Sequence, residues 1–173
     1  STCMWNEMHK TTEANKISAD AAAASTTAWI VPETWVLKGE DEVDLVTNNV
    51  GKTPALDVTF GYEARFILTK DIQNDRIRDV EPSKCPQPQY RPGNVAQDVR
   101  WTYKVHTPAL TPEQRTLIGE GSGKMFIHAC IAYREVFSNR ERQTEVAVYY
   151  PSPGAASEGK HGFSTLAAYS RMK

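Results

Sequence analysis

The sequence predicts a mainly β protein: a two-sheet antiparallel β-sandwich of about seven strands with a long N-terminal α-helix. Three observations predict it. Alternating apolar and polar segments separated by turn signals recur through the body of the chain; residues 43–50 and 56–66 read as two strands around a locally specified corner; and residues 1–28 lack proline and glycine. In the second strand of that pair, Leu56, Val58, Phe60, Tyr62, Ala64, Phe66 and Leu68 fall on one face, and Asp57, Thr59, Gly61, Glu63 and Arg65 on the other, a period of two. At the corner, Gly51 is expected to supply a positive φ, while Pro54 fixes its own φ and pushes Thr53 toward extended geometry.

The N-terminal unit, residues 1–28, is rich in Ala, Met, Glu and Lys and is expected to form a helix about 40 Å long. Ala14, Ile17, Ala21, Ala24 and Ala28 make one seam of small residues, with Asn15, Asp20 and Ser25 off it. Such a seam suits a partner helix, a short coiled coil, or a brace laid back on the sandwich. Residues 29–173 form the sandwich. Trp29-Ile30-Val31 and Trp35-Val36-Leu37 flank Pro32, which marks an edge strand or two short pieces. Residues 39–42 are a charged turn. Residues 69–96, with Pro82, Pro86, Pro88, Pro92 and Gly93, are expected to be a long extended loop. A loop of that length is either a crossover between the sheets or a binding surface, with Lys84, Cys85, Gln87, Gln89, Tyr90 and Arg91 as the candidate contact residues.

Beyond the loop, Val99, Trp101, Tyr103 and Val105 alternate with Arg100, Thr102, Lys104 and His106, a half-buried strand with a basic outer face. Thr111, Pro112 and Gln114 carry the signals of a capped helix start, and the glycines at 119, 121 and 123 stop that helix early. Residues 126–134 and 143–150 form a hairpin. The tail beyond Pro151 is expected to be flexible, with residues 163–169 returning as a short strand or docking as a turn. Phe60, Tyr62, Trp101, Tyr103, Ile127 and Val148 are expected to be largely buried.

At 173 residues the chain suits one domain plus an appendage. Its 20 Lys and Arg against 21 Asp and Glu create no global field, which disfavours nucleic acid as a partner. No run reaches the roughly 18 apolar residues of a membrane helix, and the first residues lack the order of a signal peptide. Cys3, Cys85 and Cys130 cannot all pair within one chain. Cys130 reads as a small buried apolar residue, and Cys3 and Cys85 are open to reaction or pairing, the alternative being three free thiols. The glycine-rich stretch before Lys124 fails as a phosphate loop, since Ile118 stands where the first glycine belongs and Met125 where a hydroxyl is needed. His9, His106, His128 and His161 lie on four different elements without metal-ligand spacing. The sequence therefore assigns no catalytic, cofactor-binding or metal-ligating residue, and the protein reads as a non-enzyme. The charges of Arg134, Glu135, Arg140, Glu141, Arg142 and Glu145 around one hairpin read as a solvated, cross-paired face or as a docking face.

Three segments together carry a resemblance: the Ala-rich helix ending at Ala28-Trp29, residues 49–58 (Asn-Val-Gly-Lys-Thr-Pro-Ala-Leu-Asp-Val), and Leu117-Ile118-Gly119 followed by residues 132–137 and 142–144. They resemble a group of bacterial envelope proteins in which a membrane helix is followed by a helical stalk and one immunoglobulin-like sandwich. The resemblance spans most of residues 14–150. It departs where Glu135 and Ser138 replace the aspartate and glycine of the usual Tyr-x-Asp-x-Phe-Gly continuation. It implies an immunoglobulin-like, non-enzymatic protein-interaction module on a stalk, in the periplasm or outside the cell, anchored by a segment upstream of Ser1. Its partner would be another protein or, through the helix, a second copy. The alternative is a structural subunit of an envelope assembly that polymerises through its helix and edge strands.

Overall fold

The computed structural model describes residues 27–39, 41–73, 85–151 and 162–172. Among these described residues, eight strands and two short helices follow in the order β1 (Ile30–Leu37), β2 (Glu42–Asn49), β3 (Ala55–Leu68), α1 (Thr69–Gln73), β4 (Pro88–Val95), β5 (Arg100–His106), α2 (Pro112–Gly119), β6 (Gly123–Glu135), β7 (Glu141–Tyr150) and β8 (Ser164–Met172). They form two antiparallel sheets, β1-β2-β5 and β4-β3-β6-β7-β8. Val43, Leu45 and Tyr103 of the smaller sheet and Phe60, Ile127, Ile131 and Val148 of the larger one share a single buried core. Phe60 and Tyr103 stack across it at 4.2 Å between ring centroids.

The expected helix over residues 1–28 lies outside the described residues, with Ala14, Ile17, Ala21 and Ala24. Its last two positions are described and are not helical. Ala28 is fully buried in the sandwich core, so the last residue of the seam belongs to the sandwich.

Gly51 corrects the reading of the corner. It has no positive φ. What excludes a side chain there is proximity: a Cβ would lie 2.2 Å from the Thr27 carbonyl oxygen and 2.5 Å from the Trp29 nitrogen. The corner is organised instead by Asn49, fully buried. Its Oδ1 accepts from the N–H groups of Trp29 at 3.0 Å and Gly51 at 3.1 Å. Its Nδ2 donates to the carbonyls of Thr53 at 2.8 Å and Val95 at 3.2 Å. One side chain thus ties the entry to β1, the corner itself and the end of β4 together.

The period of two in β3 is interrupted near its start. Asp57 takes a φ of +50°, and the register with β6 shifts between Leu56 and Thr59. Leu56, paired with Arg134, therefore falls on the face opposite Val58, and Arg134 Nε donates to the bulged Asp57 at 3.1 Å. The expected loop over 69–96 holds a helical turn and a strand. β4 tolerates Pro88, Pro92 and Gly93 because it is an edge, paired among the described residues with β3 alone. Its approach is set by Cys85, which is disulfide-bonded to Cys130 of β6 with a Cα–Cα distance of 5.4 Å. To reach that partner the chain crosses β3 at Gly61, where a Cβ would lie 2.3 Å from the Pro86 carbonyl oxygen.

Other expectations hold. β1 is an edge strand, irregular between Pro32 and Thr34. The capping box of Thr111 and Gln114 starts α2, the hairpin is β6–β7, and the C-terminal segment returns as β8 beside β7. Among residues expected to be buried, Tyr62 is only half-buried and Trp101 is 40% exposed. Trp101 sits on an edge strand, where inward orientation does not bring cover.

Candidate interaction site

Among the described residues, strand β5 has β2 as its only sheet neighbour. In an antiparallel pair, alternate residues direct both N–H and C=O toward the neighbour, and the intervening ones direct theirs away. Thr107 N–H donates to the Asp41 carbonyl at 2.8 Å at one end of the pair, and Asn49 N–H to the Val99 carbonyl at 3.4 Å at the other. The odd-numbered residues of β5 therefore face β2, and Arg100, Thr102, Lys104 and His106 face the open edge. His106 N–H donates to the Tyr62 hydroxyl at 3.0 Å, which closes one end of that edge. Among the described residues, the outward backbone groups of Arg100, Thr102 and Lys104 have no partner, and all three residues are exposed.

This edge is the regular one. β5 pairs with β2 over seven residues without a register shift. β1 is broken at Pro32, β4 carries two prolines and repeated shifts against β3, and β8 meets an irregularity at Ala147 and Val148 of β7. Proline and bulges are the usual devices that stop a sheet edge from accepting another strand, and β5 has neither.

The two faces of β5 differ chemically. On the outer face Arg100 pairs with Glu33 at 2.8 Å and Lys104 with Glu42 at 2.9 Å. The hydrogen bond from Lys104 holds the Glu42 carboxyl below its usual range, and Glu42 correspondingly raises Lys104. On the inner face Tyr103 and Val105 are buried and Trp101 is exposed. Burial pushes the Tyr103 phenol far above its ordinary range and the Tyr90 phenol, next to Tyr62, upward as well.

The residues singled out as a candidate binding loop do not form one continuous loop among the described residues. Lys84 lies outside the described residues, Cys85 is in the disulfide, and Gln89, Tyr90 and Arg91 are strand residues of β4. Gln89 Nε2 donates to the Tyr62 carbonyl at 3.2 Å, Tyr90 packs 6.0 Å from Phe60, and Gln87 and Arg91 are exposed. The solvated reading of the hairpin charges fails for two of them. Glu135 is 5% exposed and accepts from Arg142 and Ser138. Glu145 is 2% exposed, lies 3.4 Å from His128 and accepts from Gln143. Glu145 stands opposite Cys130 in the β6–β7 register, so this polar group lies beside the disulfide on the face turned away from the smaller sheet. Both carboxylates are fully engaged, as buried charges must be.

A cleft of about 800 Å³ opens at one end of the sandwich. Leu37, Leu110, Ile118 and Tyr150 line it, with Lys38, Asp41 and Arg115 as its charged residues. Among the described residues, none that the sequence marked as a candidate is in it. Among the described residues, no group of three or more His, Cys, Asp and Glu side chains could hold a metal ion, and no helix is long and apolar enough to cross a membrane. No protein-family model, curated protein or solved structure matches the chain.

Proposed function

We propose that this chain is a non-enzymatic protein-interaction module of the bacterial cell envelope, an immunoglobulin-like sandwich displayed on a helical stalk, which takes its partner as an added strand along β5. One observation carries this reading: the uninterrupted β5 edge with open backbone groups at Arg100, Thr102 and Lys104. Main-chain pairing along such an edge supplies affinity, and the side-chain rows above and below it supply selectivity. The Cys85–Cys130 disulfide supports an oxidising compartment such as the periplasm or cell exterior.

Thr102→Pro tests the reading. The Thr102 N–H faces the open edge, so proline there removes no bond to β2 yet blocks an incoming strand. A photocrosslinker at Lys104 in cells of the native host is expected to yield a discrete adduct with another protein that Thr102→Pro abolishes. An adduct unchanged by Thr102→Pro, or no adduct, would overturn the reading. An adduct with a second copy would replace it with the structural-subunit alternative.

A further inference from the structure

We infer that the strand received by β5 is an extended segment of about five residues in which acidic and apolar side chains alternate. This rests on the reading of β5 as the docking edge and names the chemistry of its partner. The length follows from the open groups, which run from Arg100 to Lys104 and end where Tyr62 occupies the His106 N–H.

The outer row of the added strand would lie beside Arg100, Thr102, Lys104 and His106. The side chains of Arg100 and Lys104 are 71% and 58% exposed, whereas their carboxylate partners Glu33 and Glu42, on the far side from the open edge, are each 26% exposed. Cations therefore border the edge, and anions lie behind them. Arg100 engages Glu33 through Nε, and an ammonium with three donors, such as that of Lys104, retains capacity after one bond to Glu42. Opposite charges on adjacent strands attract and like charges repel, so acidic residues fit this row. A second copy of β5 does not, because it would set one basic row against another.

The inner row of the added strand would continue the core-facing side of β5. There Trp101 is 40% exposed and Val99 38% exposed. Apolar residues in that row would cover Trp101 and extend the core past Tyr103. The alternation follows from the pleat: one strand cannot serve both faces without changing chemistry at every residue.

Three synthetic seven-residue peptides test the inference. They share the same apolar residues at alternate positions and carry Glu, Ser or Lys at the others. Binding is followed by backbone amide NMR and by hydrogen exchange. The Glu peptide is expected to protect the Thr102 and Lys104 amides and to bind at least about tenfold more tightly than the Lys peptide, a preference weakened by added salt. In the Arg100→Gln, Lys104→Gln double variant, with its fold checked by circular dichroism, that preference should collapse. Equal protection by all three peptides would overturn the acidic partner and leave the docking edge standing. If no peptide protects those amides, the docking edge itself fails.

Discussion

Replacing Asn49 should cost far more stability than a turn asparagine normally would. Its side chain is 0% exposed and makes four hydrogen bonds of 3.2 Å or less, two accepted and two donated. In Asn49→Ala the N–H groups of Trp29 and Gly51 and the carbonyls of Thr53 and Val95 lose that partner. At about 1 kcal/mol per net hydrogen bond the loss is about 4 kcal/mol, a large share of the roughly 5–15 kcal/mol that stabilises a domain. Urea unfolding should show a much lower midpoint with an unchanged slope, and Tm should fall by roughly 10 °C. Asn49→Asp is the sharper variant, since it keeps the shape and the accepting oxygen but turns a carboxylate oxygen toward two carbonyls. That setting raises the carboxyl above its unfolded value near 3.9, so the Asp variant should recover relative to wild type as pH falls through the folded value. At neutral pH it should be less stable than the Ala variant. A loss below about 1 kcal/mol for Asn49→Ala, or an Asp variant as stable as wild type at pH 7, would refute the role of Asn49 as the tie between these segments.

The remaining predictions concern the cross-link, the chain crossing and alkaline pH. Reducing the disulfide, or making Cys85→Ala with Cys130→Ala, releases a loop closed over a separation of 45 residues; the loop-entropy model puts the loss at about 4 kcal/mol, measurable as a drop in the urea midpoint. Gly61→Ala should displace residues 85–87, because its Cβ would meet backbone oxygens at 2.3 and 2.8 Å; amide exchange should rise in β4 while β6–β7 stays protected. Burial raises the phenols of Tyr103, Tyr133 and Tyr150. Their contribution is thus fully present below the unfolded value of about 10 and is lost as pH rises through the folded values. Absorbance titration should show these three ionising together with unfolding rather than before it.

Much of the strand content was readable in the sequence because it depends on local pattern. The period of two in β5 and, past its bulge, in β3, the Thr111 capping box and the edge mark of Pro32 each act within a few residues, and each appears in the structure. The candidate site was only half readable. Alternation showed a strand at Arg100–His106 with a basic face, but the openness of its edge is set by which strands do not pair with it, and that is a property of sheet order. Trp101 looked like a core residue because its parity points inward; its exposure follows from edge position alone.

The same division explains the corrections. β4 looked like a loop because its prolines and glycine deny it intrinsic strand preference, yet its edge place and the disulfide crossing hold it to β3. Gly51 looked like a turn residue, and only packing reveals that it makes room for the backbone of Thr27–Trp29 and that Asn49 bonds across three segments. Glu135 and Glu145 looked like surface charges because sequence shows spacing, not cover. Local order of residues determined the elements of this protein. Their neighbours, their cover and the open edge of β5 were decided by contacts between residues far apart in the chain, whose energies no short window of sequence contains.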